Sequence, residues 1–302
     1  MFGTQLPSRT VYREQIAEVE STVDGAPGFG EPEHMSNRMQ IGFLGCGNMG
    51  GAILEGMLSE QLHQPSEVLV CEHSAEKRAY WQQRGVSVTD SEADAQGLET
   101  LVIAVKPQGF PTAAAQLGLL AHSTLAISVM AGIDSVQISG ALGPNARVIR
   151  VMPNTPCAIG MGISAVAIGT GAAATDLEEA VRLMSTVGEV VTVKESAMHA
   201  VTATSGSGPA YLFYLAESWI NAGISAGLPP EVARTLVIET IRGSGELLKQ
   251  SGDPVGLRKM VTSPGGTTAA GIRELEEHDL HRTMEKAVRS AHARSEELGR
   301  ED

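Results

Sequence analysis

The feature that most constrains this chain is a glycine-rich stretch, GFLGCGNMGGAI, at positions 42–53. It follows an apolar run and opens a pattern of helical spacing, so it predicts a strand, a tight turn and a helix in that order. In such a unit the first glycine permits the turn, the second lets a pyrophosphate approach the backbone, and the third lets helix and strand pack closely. The phosphates then lie at the helix N-terminus. We therefore expect a dinucleotide site rather than an ordinary glycine-rich turn, and its loop residues are Gly45, Gly47, Asn48, Met49 and Gly50.

The residues after the next predicted strand bear on which dinucleotide is bound. Glu72 stands about 20 residues beyond the last loop glycine, near the usual place of the acid that binds a ribose 2′-hydroxyl. A carboxylate there favours NADH because it repels a 2′-phosphate. Ser74, Lys77 and Arg78 follow at once, and they either hold that phosphate or form a solvated helix face. The residues themselves leave NADPH and NADH open.

Two further predicted strands end in proline and polar residues, in the stretches IAVKPQ and RVMPNTP. Ligands of open α/β sheets bind at the carboxyl ends of the strands. We therefore expect two groups of residues beside the cofactor: Val105, Lys106 and Pro107 in the first stretch, and Pro153 and Asn154 in the second. The alternatives are a strand-terminating proline with a surface lysine and simple turn chemistry.

The order of patterns along the chain predicts its architecture. Short β-rich runs alternate with helical segments up to residue 195, which indicates βαβ units and a mainly parallel sheet. The predicted strands are 40–44, 68–71, 101–105, 124–128, 147–152, 163–168 and 190–193. From residue 196 the pattern is helical, and the segment from Pro209 to Gly227 is apolar nearly all round, as expected inside a bundle or a subunit interface.

The predicted fold class is therefore α/β followed by all-α. The expected divisions are a disordered leader (1–38), a Rossmann-like NAD(P)-binding domain (39–195) and a helical domain for dimerisation and substrate binding (196–302).

Composition excludes several classes of function. The net charge of −13 argues against a nucleic-acid partner, since phosphates require a basic face. No apolar run approaches the roughly 20 residues of a membrane span. His278 and His281 lack further metal ligands, and Cys46, Cys71 and Cys157 are scattered, so no metal site is expected. The odd number of cysteines favours reduced thiols and a cytoplasmic location.

The chain resembles the pyrroline-5-carboxylate reductase family over about residues 40–295. The resemblance rests on five stretches in order: IGFLGCGNMGGAI, AVKPQ, RVMPNTP, VTATSGSGPAY and VTSPGGTTAAGI. It implies the last step of proline biosynthesis, in which NAD(P)H reduces the cyclic imine 1-pyrroline-5-carboxylate to L-proline. It also implies a homodimer with interleaved C-terminal helices, often built into a larger ring such as a decamer, and an active site shared between subunits.

The resemblance assigns roles within TSPGGTTAAGI, at positions 262–272. Thr268 is the hydroxyl near the imine nitrogen, and the substrate carboxylate is bordered by a group of four residues: Ser263, Gly265, Gly266 and Thr267. A glycine-rich turn at a helix N-terminus can bind a carboxylate through backbone N–H groups alone. Met260 departs from the family, many members of which have a polar residue there.

Two alternative functions remain. The β-hydroxyacid dehydrogenases share this architecture, but they place a catalytic lysine just after a glycine-rich stretch, and SGSGPAYLFYLAESWI contains none. A non-catalytic NAD(P)-binding oligomer is the other, and the retained Thr268 and SPGG argue against it.

Overall fold

An eight-stranded sheet forms the centre of the computed structural model, which describes residues 39–300; the predicted leader at 1–38 lies outside the described residues. The strand order is β3-β2-β1-β4-β5-β6-β7-β8, and every neighbouring pair is parallel except β6 and β7. The strands are β1 (Ile41–Leu44), β2 (Val68–Cys71), β3 (Ser87–Thr89), β4 (Thr100–Ile103), β5 (Thr124–Ser128), β6 (Ala146–Met152), β7 (Gly162–Ile168) and β8 (Gly188–Thr192). The predicted, mainly parallel sheet is confirmed.

Helices cover both faces of this sheet. They are α1 (Asn48–Ser59), α2 (Ala75–Gln82), α3 (Phe110–Leu117), α4 (Ser135–Leu142) and α5 (Ala174–Met184). Neighbouring strand residues point to opposite faces, so Phe43 packs in the core beneath α1 while Leu44 packs in the core beneath α3. Burial on both faces explains why the central strands β1, β2, β4 and β5 are largely continuous apolar runs rather than alternating ones.

The second half of the described chain is helical, as predicted. It contains α6 (Met198–Val201), α7 (Gly208–Ser225), α8 (Pro230–Ser251), α9 (Pro254–Met260), α10 (Thr267–Glu277) and α11 (Leu280–Leu298). The helical pattern from Arg273 to Arg294 is divided in two, because Asp279 adopts a left-handed conformation (φ 51°) and its side chain caps the start of α11. No helix in residues 39–300 combines the length and the apolar character needed to cross a membrane.

A buried arginine links the sheet to the start of the helical half. Arg150 on β6 is only 4% exposed, and its guanidinium lies 3.8 Å from Glu195 Oε1. Glu195 also accepts hydrogen bonds from the backbone N–H and the hydroxyl of Ser135, at 2.8 and 2.7 Å. Burial lowers the pKa of Arg150, and the negative charges of Glu195 and Asp134 oppose that shift. Glu195 therefore compensates a buried charge at the junction of the two halves.

Replacing Glu195→Ala should destabilise the fold, because it leaves Arg150 buried without its carboxylate and removes two hydrogen bonds. We expect the free energy of unfolding to fall by roughly 2–3 kcal/mol, less than for a fully buried pair because Glu195 is partly exposed. Urea unfolding at one fixed protein concentration measures the change. Glu189→Ala is the matched control, since its ion pair with Lys249 is exposed and should contribute under about 1 kcal/mol. Equal losses in the two variants would contradict the assignment.

Candidate cofactor cleft and substrate turn

The glycine-rich turn between β1 and α1 shows why each glycine is needed. Gly45 has a positive φ of 81°, which other residues adopt with strain. A Cβ on Gly50 would lie 2.6 Å from the Gly45 carbonyl oxygen, so only glycine lets α1 pack this closely on the turn. A Cβ on Gly47 would meet nothing nearer than Lys77 Nζ at 3.9 Å. The space above Gly47 is therefore open, which fits a pyrophosphate approaching the backbone there.

A cleft of about 540 Å³ lies at the carboxyl ends of β1, β2 and β4, beside this turn. It brings together a first set of the residues predicted to hold the cofactor: Gly45, Gly47, Glu72, Val105 and Lys106. Its lining does not include the rest of that prediction: Asn48, Met49, Gly50, Ser74, Pro107, Pro153 and Asn154. His73 and Glu92 also line the cleft, and neither was selected from the sequence.

Glu72 is fixed by hydrogen bonds at the mouth of the glycine turn. Its Oε2 accepts from the backbone N–H of Cys46 at 3.1 Å, and its Oε1 accepts from the backbone N–H of Ser74 at 3.0 Å. Lys77 Nζ lies 3.5 Å from Oε2. Burial acts to raise the pKa of Glu72, but the two backbone hydrogen bonds and Lys77 outweigh it and lower the pKa below its usual value. The side chain is thus an ionised acceptor at the position expected for the ribose.

The three cysteines of the chain are not suited to act as nucleophiles. Cys46, Cys71 and Cys157 are free and buried. Burial is the largest effect and raises the pKa of the Cys46 and Cys71 thiols to about 12; nearby carboxylates add to the shift. Since the thiolate is the nucleophilic form, neither thiol supplies covalent catalysis at neutral pH. No group of three or more metal-ligating side chains occurs within residues 39–300.

A second cavity, of about 390 Å³, joins Asn154 to the start of α7. Asn154 Oδ1 accepts a hydrogen bond from the backbone N–H of Ile163 at 3.0 Å, which fixes the orientation of its amide. Ser205 lines the same cavity, and its buried hydroxyl has no hydrogen-bond partner within the described chain. It lies in a π-helical turn, Thr202–Gly206, a conformation often found at functional sites. A Cβ on Gly206 would lie 2.5 Å from Met152, so the glycine lets this turn pack closely against that side chain.

The stretch TSPGG forms a tight turn between α9 and α10. Gly265 has a φ of 71°, and the backbone N–H of Gly266 donates to the Ser263 carbonyl at 3.1 Å. The N–H of Gly266 is therefore used within the turn, whereas the N–H groups of the first residues of α10, beginning with Thr267, have no partner within the helix and can donate to an anion. Ser263 and Thr268 are exposed, and neither belongs to the two cavities described above. Met260, the residue that departs from the family, ends α9 with 70% of its surface exposed.

The sheet order, the glycine turn and the acid at the end of β2 define a dinucleotide-binding oxidoreductase of the Rossmann type. Comparison with protein families agrees: residues 40–132 match the NADP oxidoreductase, coenzyme F420-dependent family, and residues 195–298 match the pyrroline-5-carboxylate reductase dimerisation domain.

Individual relatives narrow the class to one family. Pyrroline-5-carboxylate reductase of Synechocystis sp. is 40% identical over 266 residues, which cover 87% of this chain and 99% of the relative. The enzyme of Arabidopsis thaliana is 36% identical over 86% of this chain and 95% of its own length. The crystal structure of Plasmodium falciparum pyrroline carboxylate reductase with NADP bound superposes with a TM-score of 0.78, at 30% identity, over 87% of this chain and 99% of that one. The chain belongs to the pyrroline-5-carboxylate reductase family.

Two glycine substitutions in the turn should have separable effects. Gly50→Ala forces a Cβ against the Gly45 carbonyl and should lower the free energy of unfolding by roughly 1–3 kcal/mol. Gly47→Ala meets no such contact, so the fold should keep its stability while the affinity for NADH and NADPH falls. Thermal unfolding and fluorescence titration of the bound cofactor measure the two quantities.

Gly51→Ala is the control, because its Cβ would make an ordinary contact with Trp81 at 3.7 Å. If Gly47→Ala left cofactor affinity unchanged, the pyrophosphate could not lie over this glycine.

Proposed function

We propose that this protein reduces 1-pyrroline-5-carboxylate to L-proline, with NADH or NADPH as the hydride donor, in the last step of proline biosynthesis. The observation that carries the proposal is the presence, in one chain of this family, of a glycine-rich dinucleotide cleft and the TSPGG turn. In this proposal residues 39–195 bind the cofactor, and residues 196–302 dimerise and bind the substrate. We also propose a cytoplasmic location, because the three cysteines are free, as expected in a reducing compartment.

The cofactor supplies the hydride when bound, so the protein itself has to bind, orient and polarise the imine. At the cofactor end, the open space over Gly47 and the acceptor oxygens of Glu72 suit a pyrophosphate and a ribose. The other residues proposed around the cofactor are Gly45, Asn48, Met49, Gly50, Ser74, Val105, Lys106, Pro107, Pro153 and Asn154.

The TSPGG turn is proposed to bind the substrate carboxylate. The positive end of the α10 dipole and the first N–H groups of that helix attract an anion without a charged side chain. Ser263, Gly265, Gly266 and Thr267 form this border; Gly266 acts by shaping the turn, since its own N–H is engaged with Ser263. Thr268, one residue into α10, is then the hydroxyl placed to hydrogen-bond the imine nitrogen and to stabilise its protonated form.

A homo-oligomer is proposed from the apolar surface of the helical half. In a single chain α7 has no buried residue. Both α7 and α8 expose large apolar side chains: Leu212, Phe213, Tyr214, Leu215, Trp219, Ile224, Val232, Leu236, Ile238, Leu247 and Leu248. Such a contiguous surface is typical of an obligate interface rather than of a free monomer. The finer proposal is a homodimer through these helices, assembled into a ring such as a decamer.

The function is tested by turnover. Purified protein should oxidise NADH or NADPH when 1-pyrroline-5-carboxylate is added, and Thr268→Ala should lower kcat roughly 100-fold, the effect of losing a positioned acid or hydrogen-bond donor. The KM for the cofactor should stay nearly constant, because Thr268 lies outside the cleft. Absorbance at the nicotinamide band follows both parameters.

Thr267→Ala is the matched control on the same exposed turn: Thr267 is proposed to act through its backbone N–H, which alanine keeps, so this variant should retain most of the activity. No oxidation with either cofactor, while both still bind, would overturn the proposed function. Equal losses in the two threonine variants would remove Thr268 from its proposed role.

The proposed oligomer is tested by introducing one charged side chain into the apolar surface of α7. Tyr214 is 73% exposed in the single chain, so Tyr214→Arg should shift the protein towards monomer if α7 is an interface. Val136→Arg is the control, since Val136 is 69% exposed on α4 in the other half. Sedimentation velocity measures the distribution of masses. A wild-type monomer, or equal dissociation in both variants, would contradict the proposal.

A further inference from the structure

The cofactor cleft carries a second carboxylate next to the predicted one. Glu92 follows β3, the strand beside β2, and lines the cleft together with Glu72. It is only 4% exposed. Its Oε1 lies 3.0 Å from His73 Nε2, whereas its Oε2 has no hydrogen-bond partner in the described part of the chain. A buried carboxylate oxygen without a donor is costly, so Glu92 requires an explanation that packing within the chain does not supply.

The cations near these acids are already paired with carboxylates or carbonyls. Lys77 Nζ lies 3.5 Å from Glu72 Oε2. Arg78 donates to the carbonyl oxygens of Glu72 and His73, at 2.6 and 2.9 Å, and its second amino group lies 3.4 Å from Asp90. A 2′-phosphate would therefore have to compete for both cations with groups of the protein.

The local field at this end of the cleft is negative. Four acids, Glu72, Asp90, Glu92 and Asp94, follow β2 and β3 and stand against the two cations Lys77 and Arg78, whereas Lys106, the other cation in the lining, follows β4. The neighbouring Cys71 thiol responds to this field: burial is the main reason for its raised pKa, and Glu92 and Asp94 raise it further.

The adenosine ribose of a dinucleotide lies beside the acid that ends β2. A ribose 2′-hydroxyl is neutral and can donate to a carboxylate. A 2′-phosphate would instead add roughly two negative charges to this field. We propose that Glu92, acting with Glu72, makes this protein select NADH over NADPH. This inference rests on the proposed function for its cofactor class and goes beyond it by naming the residue that discriminates the two forms.

The wild-type test is a pair of binding titrations. The full-length protein is titrated with NADH and with NADPH in the absence of any imine substrate, and the nicotinamide fluorescence gives each Kd. At low ionic strength NADH should bind roughly tenfold more tightly, and added salt should narrow the difference because it screens the repulsion. The ratio of kcat/KM for the two cofactors should follow the same order.

Glu92→Gln removes the charge and keeps the shape of the side chain. It should tighten NADPH binding roughly tenfold and change NADH binding by less than about threefold, since a neutral hydroxyl is less sensitive to the field. Glu178→Gln is the control, because Glu178 is exposed on α5, outside the cleft lining, and should change neither Kd.

Asp90→Asn tests the same field at an exposed position, where substitution leaves the core intact. Asp90 has 69% of its side chain exposed and faces Arg78, so the variant removes the carboxylate partner of that cation, leaves its two carbonyl contacts in place, and should tighten NADPH binding about threefold. Equal wild-type affinities for NADH and NADPH, or variants that shift both dissociation constants alike, would overturn the inference. A protein that binds NADH selectively but fails to reduce the imine would sink the proposed function and leave this inference standing.

Discussion

The site depends on the close approach of α1 to the turn that follows β1. Because Gly50 has no Cβ, the first turn of α1 packs against the Gly45 carbonyl, and the helix N-terminus is held at the carboxyl edge of the sheet. β1 lies between β2 and β4, the point where the strand order reverses direction and where open α/β sheets form their ligand crevice. Glu72 then reaches the Cys46 N–H from the end of β2, and Lys106 reaches the cleft from the end of β4. A wider packing distance would move the helix N-terminus away from this crevice.

Most of the fold could be predicted because its physics is local. Strands buried on both faces are mostly apolar, so a run such as 124–128 can be recognised from its apolar centre, Leu125 to Ile127, without any tertiary information. The strand Ser87–Thr89 was missed because it lies at the sheet edge, is only three residues long and carries polar residues. The break at Asp279 was missed for another reason: the surrounding residues favour a helix, and one left-handed residue that caps the next helix leaves no trace in the periodicity.

The residues of the candidate site likewise divide into those that could be predicted from the sequence and those that could not. Gly45, Gly47 and Glu72 are predictable because their spacing along a strand–turn–helix unit fixes their positions relative to a dinucleotide. Glu92 and Ser205 are not, since their significance comes from burial without a hydrogen-bond partner, which depends on neighbours distant in sequence. The TSPGG turn is intermediate: its glycines indicate a turn, but only the structure shows that the Gly266 N–H is engaged within it and that a helix begins at Thr267.

The α/β half and the helical half differ in how much of their apolar surface is buried within a single chain. The α/β half buries its apolar residues and encloses the cofactor cleft within one chain. The helical half leaves α7 without a buried residue and leaves Thr268 exposed. A hydroxyl polarises an imine effectively only where water is excluded, because bulk water screens the interaction and competes for the same hydrogen bonds. We therefore infer that the cofactor cleft is complete in the single chain, whereas the role proposed for Thr268 requires an association of chains that covers the exposed helices.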